Sequence, residues 1–96
     1  MATVITEHAR FEAQRRGIDL ELVLSTIEHP QEKVPSKKNR NRLVFQSRYH
    51  DKIIGKEMLL RVIVESAGST LKVVSVYRTS KIDKYWIGEE GHEGHL

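Results

Sequence analysis

The chain has 96 residues, of which 39% are hydrophobic and 30% are charged, with a formal net charge of +3; this balance is typical of one soluble domain with a two-layer core. It contains no cysteine, which excludes disulfides, thiol catalysis and zinc–thiolate sites. The longest apolar run is far below the ~18 residues of a membrane span and the N-terminus lacks a signal-peptide pattern, so we expect a cytoplasmic location and no membrane partner.

Two helices are predicted in the first third of the chain. Thr6 is a suitable N-cap for a helix through HARFEAQRR, with Gly17 as its stop. Asp19 can cap a second helix, LELVLSTIEH, which Pro30 ends. Apolar residues recur at helical spacing in the second helix, so one side of it is expected to face the core.

A polar, basic connection follows from Gln31 to Asn41, where only Val34 suits the start of a short strand. The period then changes, and RLVFQSRY, MLLRVIVES and TLKVVSVYR predict three strands. DKIIG and AGS between them are typical of hairpin turns. These elements predict a single domain over residues 1–88, followed by a disordered polar tail at residues 89–96.

Strand alternation divides the predicted sheet into two faces. We expect Arg61 to pair with Val44 on one side and with Val74 on the other. This register predicts an apolar face for the helices, made of Leu43, Phe45, Tyr49, Met58, Leu60, Val62, Val64, Leu71, Val73 and Tyr77. The opposite face, expected to be uncovered, then carries Arg42, Arg48, Arg61, Lys72 and Arg78 with Gln46, Glu57 and Glu65, among a smaller number of apolar residues. Arg48, Glu57 and Arg78 are expected to form one cross-strand row.

The charge is unevenly placed along the chain. Residues 33–84 hold thirteen basic side chains against four acidic ones, a net charge of +9, whereas residues 1–32 and residues 85–96 each carry −3. Lysine and arginine gain from displacing counterions around phosphates, so this pattern favours a polyanionic partner. Lysines scattered over solvated loops are the simpler interpretation.

Four stretches, EHARFEAQRRGI, EHP, LLRVIVE and VVSVYRTSKIDKYW, together resemble the domain-of-unknown-function family 4258, over roughly residues 5 to 86. The resemblance implies an α+β fold related to RelE-type toxins, in the barnase–EndoU–colicin–RelE nuclease group, whose members are often metal-independent ribonucleases. His29-Pro30 stands where the family has an Asn-Pro or similar stop. The residues matched to the family pattern are His8, Arg16, Arg61, Tyr77, Arg78, Thr79 and Lys81.

Metal-free RNA cleavage needs a base for the 2′-hydroxyl, cations for the phosphorane oxygens and an acid for the leaving oxygen. Histidine suits proton transfer near neutral pH, and arginine suits phosphate oxygens. The predicted catalytic residues are therefore His8, Arg61, Arg78 and Lys81. The predicted RNA-binding residues are Lys37, Lys38, Arg40, Arg42, Arg48, Tyr77 and Thr79. No metal ligand or cofactor is predicted.

Each of these residues also has a purely structural interpretation. His8 in a first helical turn can cap or bond a carbonyl, Arg61 can be the partner of Glu57 or Glu65, and Tyr77 can be a core tyrosine. The connection between residues 33 and 42 can be a solvated loop.

The predicted fold class is α+β, with two N-terminal helices on one face of a mainly antiparallel sheet of three to four strands, as in RelE. The functional hypothesis is an RNA-binding, metal-independent endoribonuclease of the toxin type, with RNA as partner. A second hypothesis is an inactive module that binds nucleic acid or protein. A third is a toxin held by an antitoxin whose acidic segment covers the basic face.

Overall fold

A computed structural model of the chain describes residues 2–88, and the predicted polar tail at residues 89–96 lies outside them. The elements follow the order β1 (Ala2–Ile5), α1 (Glu7–Arg15), α2 (Leu20–Glu28), β2 (Glu32–Pro35), β3 (Arg42–Asp51), β4 (Lys56–Ala67), β5 (Thr70–Thr79) and α3 (Ile82–Tyr85). The strands form one sheet in the order β1-β5-β4-β3-β2, parallel between β1 and β5 and antiparallel elsewhere. None of the helices in this part of the chain is long and apolar enough to cross a membrane.

Local capping chemistry sets the first two helices, as predicted. The Thr6 side chain accepts a hydrogen bond from Ala9 N, and the Asp19 side chain accepts one from Glu21 N, so each satisfies a free N–H of the first turn. Gly17 follows α1 with a φ of +67°, a conformation that glycine adopts without the steric cost of a side chain.

The sheet is mainly antiparallel, as predicted, but it has five strands rather than three to four, and the pairing of β1 with β5 is parallel. β2 forms around Val34, but β1 was not expected, because four residues are too few for a period to show. Contacts distant in sequence hold β1: it pairs with β5, and both Thr6 N and Thr6 Oγ1 then donate to Val73 O, at 3.1 and 2.8 Å. A third helix, α3, was also not predicted, and its four residues show no helical period.

The hydrophobic core lies between one face of the sheet and the first two helices. It contains buried residues from α1, α2, their connection and the three long strands: Ala9, Ala13, Ile18, Val23, Phe45, Leu60, Val62, Val64, Val73 and Val76. We call this the helix face of the sheet and the other the second face. The predicted apolar face therefore matches the helix face in β3 and β4. The predicted pairing of these strands was wrong by two residues, but side chains alternate with a period of two, so a shift of two residues leaves each side chain on the same face.

A β-bulge in β5 changes the faces from that point to the end of the strand. Ile63 pairs with Ser75 but Val64 pairs with Val73, so Val74 is the extra residue. Strict alternation would direct Ser75 to the core and Val76 away from it. The bulge instead buries Val76, which is fully inaccessible to solvent, and places Tyr77 on the second face and Arg78 on the helix face. The predicted placements of Tyr77 and Arg78 were therefore both wrong.

Candidate functional site

Four polar side chains from four neighbouring strands form a continuous row on the second face. Glu32 pairs with Gln46, Gln46 with Arg61, and Arg61 with Tyr77. Gln46 Nε2 donates to Glu32 Oε1 at 2.6 Å, and Gln46 Oε1 accepts from Arg61 Nε at 2.9 Å. Arg61 Nη1 in turn donates to the Tyr77 hydroxyl oxygen. We call these four residues the polar row; Arg61 lies between Gln46 and Tyr77 rather than between the predicted Val44 and Val74.

Residues 81–88, which we call the aromatic segment, cover the polar row. The Tyr85 ring stacks on the Arg61 guanidinium, with 4.2 Å between Arg61 Cζ and the ring centroid. The Tyr85 carbonyl oxygen also accepts a hydrogen bond from Gln46 Nε2 at 3.1 Å. Gln46 is fully buried by this arrangement. The second face was expected to be uncovered, and this expectation was wrong at Arg61.

Glu32 fixes the far end of the aromatic segment. Its Oε1 accepts from Ile87 N at 3.1 Å and its Oε2 accepts from Gly88 N at 2.6 Å. Together with the bond from Gln46, three donors converge on one carboxylate. Hydrogen bonds to a charged acceptor are stronger than neutral ones, so Glu32 ties the aromatic segment to strand β2.

The positive charge of Arg61 has no direct carboxylate partner in the part of the chain that the structure describes. The side chains bonded to it, Gln46 and Tyr77, are both neutral, and the ion pairs among residues 2–88 do not include it. Its remaining N–H groups have no protein acceptor there either, while the side chain is partly open to solvent. The guanidinium is thus held in place and can bind an anion through its free N–H donors.

The other two arginines of the second face are paired. Arg42 Nε lies 3.1 Å from Glu65 Oε2, and Arg48 Nε lies 2.7 Å from Glu57 Oε1. Both pairs are well exposed, so each contributes little to stability. The predicted cross-strand row of Arg48, Glu57 and Arg78 was wrong, because Arg48 pairs with Leu59 and Arg78 lies on the other face; Arg48 reaches Glu57 diagonally instead.

Tyr77 and Tyr85 flank Arg61, and their environments shift their acidities in opposite directions. The rings meet edge to face, with centroids 6.4 Å apart. Burial raises the pKa of Tyr77, against the lowering effect of Arg61. Burial also acts to raise the pKa of Tyr85, but the nearby Lys84 ammonium, the Tyr77 hydroxyl and the Arg61 guanidinium together lower it below its usual value. Two groups whose pKa values move apart are suited to opposite roles in proton transfer.

Arg78 lies on the helix face, where it joins α1 to the β3–β4 hairpin. Its Nη1 lies 3.3 Å from Gly17 O and 3.8 Å from Asp51 Oδ2. Backbone N–H groups of Ile54 and Ile53, helped by the Arg78 charge, lower the pKa of Asp51 against the effect of burial. These contacts give Arg78 a structural role at the end of the sheet.

His8 lies on α1, on the opposite side of the sheet from Arg61. Its side chain is 66% exposed, and its Nε2 is 3.8 Å from Glu12 Oε1. Glu12 also bonds Arg15 and Arg16, at 2.9 and 3.0 Å. The hydrogen bond from Arg15 is the main cause of the lowered pKa of Glu12, with the charges of Arg15, Arg16 and His8 adding to it against burial. Arg16 further donates to Val76 O at 2.9 Å, so this cluster attaches α1 to β5.

The remaining predicted residues lie outside the polar row. Thr79 is on the second face, where its Oγ1 accepts from Lys81 N at 3.0 Å, and the Lys81 side chain is exposed. Lys37, Lys38 and Arg40 are exposed in the connection between β2 and β3. The structure therefore brings together Arg61, Tyr77 and Thr79, whereas His8 and Arg78 lie on the other face.

Sequence reasoning missed Glu32, Tyr85 and Trp86 as members of this site, and it placed Gln46 on the face of Arg61 without naming it as a site residue. Gln46 had a visible signal, because it is the one amide in an otherwise apolar stretch of β3. Tyr85 and Trp86 also had a signal in the sequence, because they are two adjacent aromatic residues that follow the end of β5. Within residues 2–88, no group of three or more histidine or acidic side chains is placed to hold a metal ion.

A five-stranded mixed sheet, with two helices on one face and an arginine–tyrosine site closed by a short third helix on the other, defines a small α+β domain. Residues 5–78 match a family model described as "Domain of unknown function (DUF4258)", and the chain belongs to this family. The matched range contains the whole polar row but ends before Tyr85 and Trp86. Comparison with curated proteins and with solved structures gave no significant match.

Proposed function

We propose that the second face binds single-stranded RNA and that the domain is a RelE-like, metal-independent endoribonuclease. The observation that carries the proposal is the state of Arg61, which neutral groups hold in place and which no carboxylate neutralises directly within residues 2–88. A guanidinium in this state favours an anionic ligand, and its planar set of N–H groups fits two phosphate oxygens.

The charge around the site supports a polyanion. Residues 33–84, which contain β3, β4, β5 and the first half of the aromatic segment, carry a net charge of +9. Lys37, Lys38 and Arg40 are exposed before β3, and in this proposal they contact further phosphates of a long strand. Release of counterions from RNA then contributes to binding, which makes the affinity fall as salt rises.

In the proposed reaction the two tyrosines move protons and Arg61 binds the phosphate. The ionised form of Tyr85, whose share the lowered pKa increases, accepts the 2′-hydroxyl proton while the 2′-oxygen bonds to phosphorus. Arg61 donates to the non-bridging oxygens, where negative charge grows in the phosphorane. The bond from phosphorus to the 5′-oxygen breaks, and the Tyr77 hydroxyl donates a proton to that oxygen. The products are a 2′,3′-cyclic phosphate and a 5′-hydroxyl end. His8 and Arg78 take no part in this scheme, because they lie on the helix face.

The test is cleavage of end-labelled RNA in EDTA by the whole chain and by two charge-matched variants. Arg61→Gln is expected to lower the rate about 100- to 1000-fold, the usual effect of removing one donor to a developing oxyanion. Arg10→Gln removes the same charge from an exposed site on α1 and is expected to cleave normally. Thermal unfolding shows whether each variant is folded. A third variant, Arg61→Lys, keeps the positive charge but loses the planar set of guanidinium N–H donors. Equal rates for Arg61→Gln and Arg10→Gln would contradict the proposal.

Salt-sensitive RNA binding without cleavage would instead identify an inactive nucleic-acid-binding module. Absence of any RNA binding would leave a protein partner, such as an antitoxin with an acidic segment, as the ligand of Arg61.

A further inference from the structure

We propose that a groove beside the polar row binds a nucleobase of the RNA, with Trp86 as the stacking platform. This inference rests on the proposed function, because the base belongs to the strand whose phosphate Arg61 binds. The groove lies between strand β2, at the edge of the sheet, and the end of the aromatic segment. It has a volume of about 420 Å³, and its walls are formed by residues 31–34 and residues 86–88.

Trp86 is held in a fixed orientation. The guanidinium of Arg48 lies over its ring, with 5.4 Å between Arg48 Cζ and the ring centroid. Gly88 packs against the edge of the indole so closely that a β-carbon there would lie 3.2 Å from Trp86 Nε1. The backbone after Trp86 is in turn tied to Glu32 through Ile87 and Gly88. A platform that is already ordered binds a ligand with a smaller loss of conformational entropy.

The chemistry of the groove favours a neutral, flat ligand over a phosphate. The groove wall includes one acidic residue, Glu32, and one basic residue, Lys33, whose ammonium lies over the Phe45 ring, 5.2 Å from its centroid. The wall therefore has no net positive charge to attract a phosphate group. An aromatic ring with an adjacent arginine is the usual protein surface for stacking an unpaired RNA base. The nucleobase therefore fits the groove, and the phosphate fits Arg61.

The spacing of the two positions suits one strand of RNA. Glu32 and Arg61 belong to the same cross-strand row, and β3 lies between their strands. Two interstrand spacings amount to about 10 Å. A phosphate at Arg61 and a base beside Glu32 are thus near neighbours along an extended single strand.

The intrinsic fluorescence of the whole chain tests the subsite directly, because Trp86 is its single tryptophan. The chain is titrated with a short single-stranded oligoribonucleotide and with an abasic ribose-phosphate strand of the same length. Only the strand with bases is expected to quench Trp86, although both compete for the phosphate site in a displacement assay. This measurement needs no variant, so it remains valid if a substitution at Trp86 prevents folding.

Variants then measure the contribution of stacking. Trp86→Ala is expected to weaken binding of the base-containing strand about 5- to 150-fold and to leave binding of the abasic strand unchanged. Trp86→Phe keeps a stacking surface and is expected to restore most of the affinity. Arg61→Gln is expected to weaken binding of both strands.

The outcomes separate this inference from the proposed function. Equal quenching by both strands, or equal loss of affinity for both in Trp86→Ala, would overturn the base subsite while RNA binding through Arg61 stands. No binding of either strand to the natural chain would overturn both proposals.

Discussion

Replacing Glu32 by glutamine should detach the aromatic segment from the sheet. Three donors converge on this carboxylate, from Gln46, Ile87 and Gly88. A hydrogen bond to a charged group contributes about 1.5–3 kcal/mol and a neutral one about 0.5–1.5 kcal/mol. The bond from Gln46 lies within the sheet, so two bonds hold the segment, and because glutamine keeps one acceptor oxygen the bond from Ile87 weakens and the bond from Gly88 is lost. After discounting for partial exposure, we expect Glu32→Gln to lower the free energy of opening the segment by about 2–4 kcal/mol.

Hydrogen exchange measures this loss at the amides concerned. A change of about 2–4 kcal/mol accelerates exchange through local opening about 30- to 700-fold, and we expect this acceleration at Ile87 and Gly88. Trp86 fluorescence should shift to longer wavelength as the indole becomes hydrated. Glu65→Gln is the matched control, because it makes the same chemical change in an exposed pair with Arg42 and should cost at most ~0.5 kcal/mol. Unchanged exchange at Ile87 and Gly88 in Glu32→Gln would refute the assigned role of the carboxylate.

Three further predictions follow from the bulge, the α1 cluster and the tyrosine pair. Val76→Ala should cost about 2–3 kcal/mol in chemical denaturation, because Val76 is fully buried, and Val74→Ala should cost clearly less; equal costs would mean that the bulge is misplaced. The lowered pKa of Glu12 stabilises the fold above the unfolded-state pKa near 4.5, and this stabilisation is lost as pH falls through the lower folded value. Glu12→Gln should therefore be less stable than the natural chain at neutral pH and approach it in acid, as thermal unfolding across this range would show. Tyr85→Phe should abolish the rise of cleavage rate with pH that a base with a lowered pKa produces; an unchanged pH–rate profile would exclude Tyr85 as the base.

Local signals in the sequence predicted the parts of the fold that local chemistry determines. Thr6 and Asp19 bond the first turns of their helices, and the alternation of β3 and β4 sorted their side chains correctly even with the pairing wrong by two residues. Side chains in a strand alternate between the two faces, so an error of two residues in the pairing leaves every side chain on the correct face. The same argument failed in β5, because the single extra residue at Val74 reverses every later side chain.

The candidate site could be predicted only in part, because its members are brought together by tertiary contacts. Arg61 and Tyr77 were identified, but their contact depends on the bulge. Tyr85 reaches Arg61 because distant residues hold the aromatic segment: Gln46 bonds the Tyr85 carbonyl, and Glu32, more than fifty residues earlier, binds the backbone at residues 87 and 88. The run VVSV does hold a trace of the bulge, since valines at positions 73, 74 and 76 cannot all occupy one face of a regular strand.

The hydrogen bonds from Ile87 and Gly88 to Glu32 also determine when the site can form during translation. Strand β2 is made early, and Gln46 can bond the Glu32 carboxylate as soon as β3 has formed, but the other two donors are available only after residues 87 and 88 have been made. Strand β1 likewise waits for β5, since Ala2 pairs with Thr70. A chain made only as far as β5 therefore has an Arg61 that the aromatic segment does not yet cover, and this cover is fastened to the sheet only after residues 87 and 88 have been added beyond α3.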